Sequence, residues 1–484
     1  MTHRVRGTAR FLLTLLLIYV AWGIYDSNFY QSIAQRRAQT AKASTEDIEI
    51  GIVTADDPGE TFLTGVEVGI AEINGLGIQP PTGSARRLAP VYLSLGKRTL
   101  EVEDFGVKLT KFIAAHPRMV AVLAGIPSRL TNKTDVICES YGVALLLSSP
   151  RDLRNNARNE STIYLLPSMD VLDNQVNLEL GLLAAPQEPN SPIRVGVLSD
   201  AEPSEGRLTA HTYLQSLAEM IQFGKAGNLL HTAMSQGEIN GKLTLGQLRA
   251  NPFLQAGVTS RVEDIGVLVS QDRVRLPSSL RLEEALAFLK VPRPDTDLAF
   301  VHTYTPKEPD YPDLFALVGQ SRPHLLIGLG NLRHTPNLIR ELRRVQINTP
   351  VVVFQTLSPE VFLDQFEQAA ENTIVATTVD PNDQTADFLD FQRRFVARAA
   401  TQHREGNAVD DMGQAGYQST LLLEAAVEAT GSTVPTSIVH SIKFPVEELR
   451  FGGQVLAFDT AGWPLQRKIH LLRYTGGSFQ PLNH

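Results

Sequence analysis

The segment from Met119 to Pro150, MVAVLAGIPSRLTNKTDVICESYGVALLLSSP, constrains the fold more than any other part of the chain. It begins with the apolar run MVAVLAG and ends with the apolar run GVALLLSS, and neither run shows the polar alternation of a strand with one wet face. Such runs are typical of parallel strands that are buried on both sides. The residues between them predict a tight turn and a helix. A strand–helix–strand unit of this kind indicates an open α/β sheet.

Hydroxyl groups follow both predicted strands. Ser128 lies just after the first strand, and Ser148 and Ser149 end the second. The carboxyl ends of parallel strands meet at one edge of a sheet, and ligands of open α/β proteins bind at that edge. Hydroxyls and free backbone N–H groups at such an edge favour a small polar ligand. No base or nucleophile pair accompanies them in the sequence, so the pattern does not indicate chemistry.

Size, charge and motifs narrow the class of protein. A chain of 484 residues is too long for one ordinary core and predicts at least two lobes. Its net charge of −8 argues against a nucleic-acid partner. The single cysteine, Cys138, lies in the predicted helix and is interpreted as a small buried hydrophobe. The motifs H-E-x-x-H, G-x-x-x-x-G-K-[ST] and G-x-S-x-G are absent from the sequence, so we expect neither an enzyme nor a metal or other cofactor.

An apolar run near the N-terminus, FLLTLLLIYVAWGIY from Phe11 to Tyr25, determines the predicted compartment. Asp26 follows the run, and the basic residues that precede it are Arg4, Arg6 and Arg10. This charge order places the N-terminus in the cytoplasm and the rest of the chain outside. We interpret residues 1–30 as a signal-anchor or transmembrane segment, because the only A-x-A pattern lies far beyond the run; a removed signal peptide is the alternative.

The sequence therefore predicts a protein of the bacterial inner membrane. It would cross that membrane once, through its N-terminal helix, with the N-terminus cytoplasmic and the body in the periplasm or outside the cell. Residues 31–46 are polar and rich in Ala, Gln and Thr, and they predict a linker.

Strands alternate with helices along most of the remaining chain, which predicts right-handed βαβ units and a parallel sheet in each of two lobes. The loop PQEPNSP, at 186–192, marks the start of a new unit. Region 224–294 interrupts the alternation and is interpreted as an insertion. The end of the chain, 452–474, predicts a hairpin whose turn is at 459–462.

Four segments, taken together, resemble the type I periplasmic solute-binding proteins, the family that includes the branched-chain amino acid receptors of ABC transporters. Their order and spacing carry the likeness over most of 48–474. The segments are GIVT…GVEVGIAEINGLGI at 51–78, VAVLAGIPSRLT…YGVALLLSSP at 120–150, the stretch 376–417, and GGQVLAFDTAGWP at 452–464.

The resemblance implies two Rossmann-like lobes with parallel sheets, joined by three crossings. The first lobe would comprise 47–168 and 381–452, and the second 169–380 and 453–484, with the insertion at 224–294. A small polar solute, amino-acid-like or anionic, would be held in the cleft between the lobes without chemistry. Closure around it would be a hinge motion. The implied protein partner is an ABC permease or another envelope protein.

The candidate ligand-binding residues are Ser128, Ser149, Asp152, Gln355, Asn331 and Asp57. Ser128 and Ser149 match hydroxyl positions of the family. Asp152 stands where the family has small or hydroxylated residues that hold an α-carboxylate. Gln355 stands where the family often has an acid that pairs with a ligand ammonium. Asn331 stands near the position at which the family usually has a tyrosine that lines the cleft. Asp57 follows the first strand, near the cleft, where a helix N-cap is the alternative interpretation.

The set of family residues that holds the carboxylate and the ammonium group of an amino acid, here called the amino-acid clamp, is thus not intact in this sequence. Either the ligand differs from an amino acid, or the cleft no longer binds a solute. A second hypothesis therefore keeps the fold and assigns it to an envelope scaffold or sensor that contacts a protein partner. The predicted anchor, the altered clamp and the insertion favour that alternative.

Overall fold

The computed structural model describes the chain in segments that cover both sheets of the fold. The described residues are 33–43, 46–54, 56–81, 84–95, 101–149, 161–184, 191–200, 213–214, 216–218, 220–221, 295–305, 311–329, 335–354, 367–380, 382–402, 404, 408–465 and 468–482. The predicted insertion at 224–294 and the predicted membrane segment at 1–30 lie outside them. Within the described residues, no helix has both the length and the apolar character needed to span a bilayer.

The first sheet is parallel throughout. Its strands are β1 (Ile48–Thr54), β2 (Leu88–Ser94), β3 (Ala121–Gly125), β4 (Ala144–Ser148) and β5 (Thr162–Tyr164). They lie in the order β2–β1–β3–β4–β5. The register pairs Gly125 with Ser148, so β3 and β4 end level with each other. The strand–helix–strand unit predicted between Met119 and Pro150 is confirmed.

Helices cover both faces of this sheet. Those of the N-terminal part are α1 (Ile33–Ala43), α2 (Asp56–Leu76), α3 (Val102–Ala115) and α4 (Thr131–Tyr141). One face packs apolar side chains of α3 and α4, such as Leu109 and Ile137, against β3 and β4. The other face packs Phe62 and Val66 of α2 against the inner strands. Both faces are therefore dry, which explains why the strands read as unbroken apolar runs.

The second sheet begins after the helices α5 (Met169–Leu178) and α6 (Leu180–Leu183). Its first strands and helices are β6 (Ile193–Asp200), β7 (Thr296–Tyr304), α7 (Pro312–Ser321), β8 (Leu325–Leu329), α8 (Thr335–Arg344), β9 (Val351–Val353) and β10 (Thr373–Thr377). These strands pair in parallel. The α/β class predicted for both lobes is confirmed.

Three further helices return to the first sheet. They are α9 (Ala386–Thr401), α10 (Asp411–Thr430) and α11 (Pro435–Lys443). Helix α10 lies directly along α2, and glycines on both helices permit the close approach. A Cβ atom at Gly65 would lie 2.9 Å from the carbonyl carbon of Gly413, and one at Gly416 would lie 3.1 Å from the carbonyl carbon of Phe62. Backbone therefore meets backbone at this interface.

The chain ends in the second sheet, where the structure corrects the sequence prediction. A small ribbon of β11 (Arg450–Phe451) and β12 (Gln454–Val455) precedes β13 (His470–Thr475) and β14 (Ser478–Pro481). Strand β13 pairs antiparallel with both β10 and β14, so the second sheet is mixed rather than parallel. The two-residue turn Gly476–Gly477, with φ of +59° and +91°, joins the last pair. Such a turn connects only antiparallel neighbours. Of the hairpin predicted over 452–474, the turn at 459–462 is present: the Gly462 N–H donates to the Asp459 carbonyl over 2.9 Å, and Phe458 and Pro464 form an antiparallel bridge across it. The pairing does not continue along the rest of 452–474, because β13 pairs with β10 and β14 instead.

Residues 456–464 stay with the first sheet, although the sequence assigned everything from 453 to the second lobe. The indole of Trp463 stacks on the Tyr164 ring of β5, with centroids 3.9 Å apart and planes at 4°. The backbone N–H of Tyr164 donates to the carbonyl of Gly462 over 2.8 Å. This segment covers the free edge of β5, an edge that would otherwise be open to pairing.

Helix α1 is fixed to the first lobe, which corrects the linker predicted over 31–46. The buried guanidinium of Arg37 donates to the carbonyls of Ile113, His116 and Met119, over 3.0, 2.8 and 3.2 Å. These carbonyls lie at the C-terminal end of α3 and in the turn before β3. The sequence of this segment is mostly polar, but the Arg37 side chain and small buried residues such as Ala41 hold the helix against the first lobe.

Candidate functional site

The carboxyl ends of β1, β3 and β4 form the edge at which the sequence placed its candidate residues. After β3 the chain passes Ile126, whose N–H donates to the carbonyl of Ser148 over 3.1 Å. A short 3₁₀ turn, Ser128–Leu130, then leads into α4, and the Thr131 hydroxyl donates to the Ser128 carbonyl over 2.8 Å. Ser128 is half-buried. The structure thus brings Ser128 and Ser149 to the same edge of the sheet, as predicted.

The hydroxyls of Ser148 and Ser149 are the unusual groups of this edge. The two residues are 0% and 4% exposed. Neither Oγ atom has a hydrogen-bond partner among the residues that the structure describes. A buried hydroxyl without a partner costs about 1–3 kcal/mol, so such groups are normally satisfied by a ligand or a water molecule. These two hydroxyls can each donate to, and accept from, a polar group that enters here.

Helix α2 adds its N-terminus to the same edge. It begins at Asp56, directly after β1. Asp57 therefore belongs to the first helical turn, and the structure describes its backbone only. The first N–H groups of an α-helix lack intrahelical partners and carry the positive end of the helix dipole. This end favours an anionic group such as a carboxylate.

The remaining candidates, Asp152, Asn331 and Gln355, lie outside the described residues. The topology still gives the place of two of them in the chain. Asn331 and Gln355 each come two residues after the end of a strand, β8 and β9 respectively, and these strands are parallel neighbours. Their roles stay predictions.

An acidic pair at the start of α10 lies at the crossing between the sheets. The Oδ1 atom of Asp411 accepts from the Thr378 N–H over 2.6 Å and from the Thr377 hydroxyl over 3.0 Å; the Thr378 hydroxyl donates to it as well. These two threonines end β10 and begin the crossing towards α9. Asp411 therefore ties the crossing to the first lobe.

Asp410 is the N-cap of α10. Its Oδ1 accepts from the N–H of Gly413 over 2.7 Å, and its Oδ2 accepts from the Thr61 hydroxyl of α2 over 3.0 Å. Complete burial raises the pKa of Asp410 to about 7; the Gly413 N–H opposes this shift, and the neighbouring Asp411 adds to it. A carboxyl group beside the crossing thus changes charge near neutral pH.

His470 faces the same crossing from β13. Its Nδ1 lies 3.9 Å from Oδ1 of Asp380. Burial lowers the pKa of His470, against the charge of Asp380. Its position opposite Thr377 in the β10–β13 register could not be read from the sequence, because the antiparallel pairing was not predicted.

The part of the chain that the structure describes contains no candidate metal site, because no three His, Cys, Asp or Glu side chains there are grouped closely enough to hold an ion. Cys138 is fully buried. Its burial raises the pKa of the thiol above the usual range, which makes it inert. The interpretation of Cys138 as a buried hydrophobe is confirmed.

Sequence comparison gives a match to one family model. Residues 295–443 match the model described as periplasmic binding protein. No match is found among curated proteins. The matched segment runs from β7 to the end of α11 and so includes the crossing that Asp411 holds.

Solved structures share the fold over most of the chain. LivJ of Streptococcus pneumoniae, a branched-chain amino acid transporter substrate binding protein in complex with isoleucine, is 12% identical with a TM-score of 0.59; the match covers 90% of this chain and 98% of that one. An ABC transporter substrate-binding protein of Desulfitobacterium hafniense, in complex with Leu, is 15% identical with a TM-score of 0.59, covering 90% and 100%.

A third structure, a solute binding protein of an ABC transporter from R. palustris in complex with benzoate, is 10% identical with a TM-score of 0.59, covering 90% of this chain and 96% of that one. At these identities the likeness establishes the fold. This chain therefore has the type I periplasmic-binding fold, and its resemblance to the type I periplasmic binding proteins, matched in sequence over residues 295–443, is confirmed.

Proposed function

We propose that this protein is an extracytoplasmic receptor that holds a small polar solute between its two lobes without chemistry. The structural neighbours above hold isoleucine, Leu and benzoate, each of which carries a carboxylate. A carboxylate also suits this edge of the sheet, because hydroxyl donors and a helix N-terminus both lie at it. The proposed ligand class is therefore a small amino-acid-like or anionic solute.

The unsatisfied hydroxyls of Ser148 and Ser149 are the observation that supports this proposal. They are buried at the strand end where a ligand of this fold is held, and a bound carboxylate would accept from one or both of them. Asn331 and Gln355, which follow the ends of β8 and β9, would contribute from the second lobe. Asp152 would lie beside the serines. These last three assignments extend the same reasoning to residues outside the described part of the chain.

The proposal includes the division of the chain. The first lobe would comprise 47–168 and 381–452, and we extend it to 465 because Trp463 packs on β5. The second lobe comprises 169–380 and the last strands, β13 and β14. Closure would bend the crossings beyond Val379, since Asp411 holds the residues before it.

The proposed location follows from the apolar run at 11–25. It would anchor the chain in the bacterial inner membrane, with the N-terminus in the cytoplasm and the body in the periplasm or outside the cell. The proposed protein partner is an ABC permease or another envelope protein that senses the closed form.

A ligand screen on the full-length protein in detergent tests the proposal. The panel contains amino acids, aromatic carboxylates, amides and small inorganic anions, and the readout is the thermal midpoint. Saturation at 100 times Kd stabilises the folded state by about 2.7 kcal/mol, so a true ligand gives a clear shift. If no compound shifts the midpoint, the receptor proposal is wrong and the scaffold or sensor alternative takes its place.

Two matched variants locate the ligand once one is found. We expect Ser149→Ala to weaken binding by about 10-fold or more, because a hydrogen bond to a charged group is worth about 1.5–3 kcal/mol. The same change should leave the unliganded protein at least as stable as before, since it removes a buried hydroxyl that has no partner. Ser140→Ala, on the exposed side of α4, is the control and should change neither quantity. Equal affinities for the two variants would place the ligand elsewhere.

A further inference from the structure

We propose that the end of the first lobe opposite the strand carboxyl ends faces the bilayer surface, with helix α1, which is held rigidly on the lobe, as its connection to the membrane segment. We call this end the base; it consists of α1, the turn at 116–119 and the turn at 431–434. The inference rests on the proposed anchor at 11–25. It adds an orientation, because a flexible linker would leave the body free to turn in any direction.

The middle of α1 is held by charge-assisted hydrogen bonds. The guanidinium of Arg37 reaches the carbonyls of Ile113 and His116 at the end of α3, and that of Met119 just before β3. The C-terminal end of a helix carries a partial negative charge, so a buried cation is stabilised there. Arg37 therefore acts as a cap for α3 that is supplied from another part of the chain.

Both ends of α1 are held as well. Ala34 lies so close to Gly142 that a Cβ atom at Gly142 would come within 2.7 Å of the Ala34 Cα. At the other end, the Thr433 hydroxyl donates to the carbonyl of Ala41 over 2.9 Å. Three attachments are thus spread along an 11-residue helix, about 16 Å long. A helix held at three points moves with the lobe.

The contacts of α1 show which end of the lobe it crosses. Its partners lie where α3 and α4 end and where β3 and β4 begin. The candidate site lies where the same strands end. Strand β1 has seven residues, so the two ends of the sheet are about 20 Å apart. Helix α1 therefore crosses the lobe on the side remote from the site.

Chain length brings this side to the membrane. Only residues 26–32 separate the apolar run from the first residue of α1, and seven residues reach about 25 Å at most. Ile33, at the start of α1, is 49% exposed. Arg36 and Lys42 are also exposed, and neither has an acidic partner within the described ranges. An apolar side chain with basic neighbours suits a phospholipid headgroup layer.

The consequence is a fixed direction for the cleft. Because the base faces the bilayer, the strand carboxyl ends of the first lobe face away from it. Solute then enters from the side remote from the membrane surface, and a membrane-embedded partner touches the base before it can touch the cleft.

Fluorescence quenching in vesicles tests the orientation. The full-length protein is reconstituted into vesicles of phosphatidylcholine and phosphatidylglycerol, some of whose headgroups carry a nitroxide. The native Cys138 is buried and its pKa is raised, so an introduced cysteine can be labelled selectively. One fluorophore is placed at Glu139→Cys, in the last turn of α4 at the base, and one at Asn382→Cys, on the crossing near the strand carboxyl ends. Both positions are exposed.

We expect quenching at position 139 to exceed that at position 382 several-fold. Equal quenching, or stronger quenching at 382, would overturn the proposal. Arg37→Ala, and independently the milder Thr433→Val, should reduce the difference while the protein still floats with the vesicles. If both variants keep the full difference, α1 is not the rigid connection. If the unmodified protein does not float, the anchor is absent and the orientation proposal fails, whereas the solute proposal is judged separately by the thermal screen.

Discussion

Replacing Gly65 by alanine should separate the two helices that hold the first lobe together. The new Cβ atom would lie 2.9 Å from the Gly413 carbonyl carbon and 3.0 Å from the backbone nitrogen of Tyr417, with the Gly413 oxygen closer still. Backbone atoms cannot rotate away, so α2 and α10 must move apart. Overpacking costs about 1–3 kcal/mol, and a clash with backbone atoms belongs at the upper end of that range. Alanine returns at most about 1 kcal/mol as a better helix former, so we expect a net loss of about 2 kcal/mol.

Thermal unfolding followed by circular dichroism measures this loss. For a lobe of this size, about 2 kcal/mol corresponds to a midpoint lowered by roughly 4–8 °C. Gly75→Ala is the matched control, because Gly75 lies in the last turn of the same helix and a Cβ there meets nothing within 4 Å. The control should be neutral or slightly stabilising. A Gly65→Ala protein that melts at or above the unmodified protein would refute the reasoning.

Two further predictions concern buried groups. Because the pKa of Asp410 is raised to about 7, its contribution to folding is complete below about pH 4, the ordinary range of an aspartate, and is lost as the pH rises to about 7. Asp410→Asn should therefore gain stability relative to the unmodified protein across that window in urea titrations; a constant difference would contradict this. Trp463→Ala should cost about 3–5 kcal/mol in the same titrations, since its ring stacks on Tyr164. Leu465→Ala, at a more exposed neighbour, should cost far less, and similar losses would contradict the assignment.

The parts of the fold that could be predicted are those whose signal is local. The run before Gly125 and the run before Ser149 are apolar at every position because both faces of the first sheet are covered. The same runs placed Ser128 and Ser149 at a common edge, since parallel strands end together. The cap at Asp410 was also visible, because an acid before a helical pattern has one common structural role.

The parts that could not be predicted depend on contacts between distant segments. The polar sequence around Arg37 indicates a linker unless one knows that unpaired carbonyls at the end of α3 lie beside it. The C-terminal strands pair antiparallel because β13 lies next to β10, and nothing in either strand specifies that neighbour. The missing hydrogen-bond partners of Ser148 and Ser149 likewise could not be predicted, because a sequence pattern does not show which groups surround a buried hydroxyl.

The packing of α2 against α10 also determines when this protein can fold. Thr61 and Asp410, which join the two helices, are 349 positions apart. A ribosome that adds about 5–20 residues per second needs roughly 20–70 s to cover that distance. Throughout this interval the side of α2 that meets α10 has no partner, so the first lobe cannot complete its core. The first lobe therefore remains incomplete during most of the synthesis of the chain.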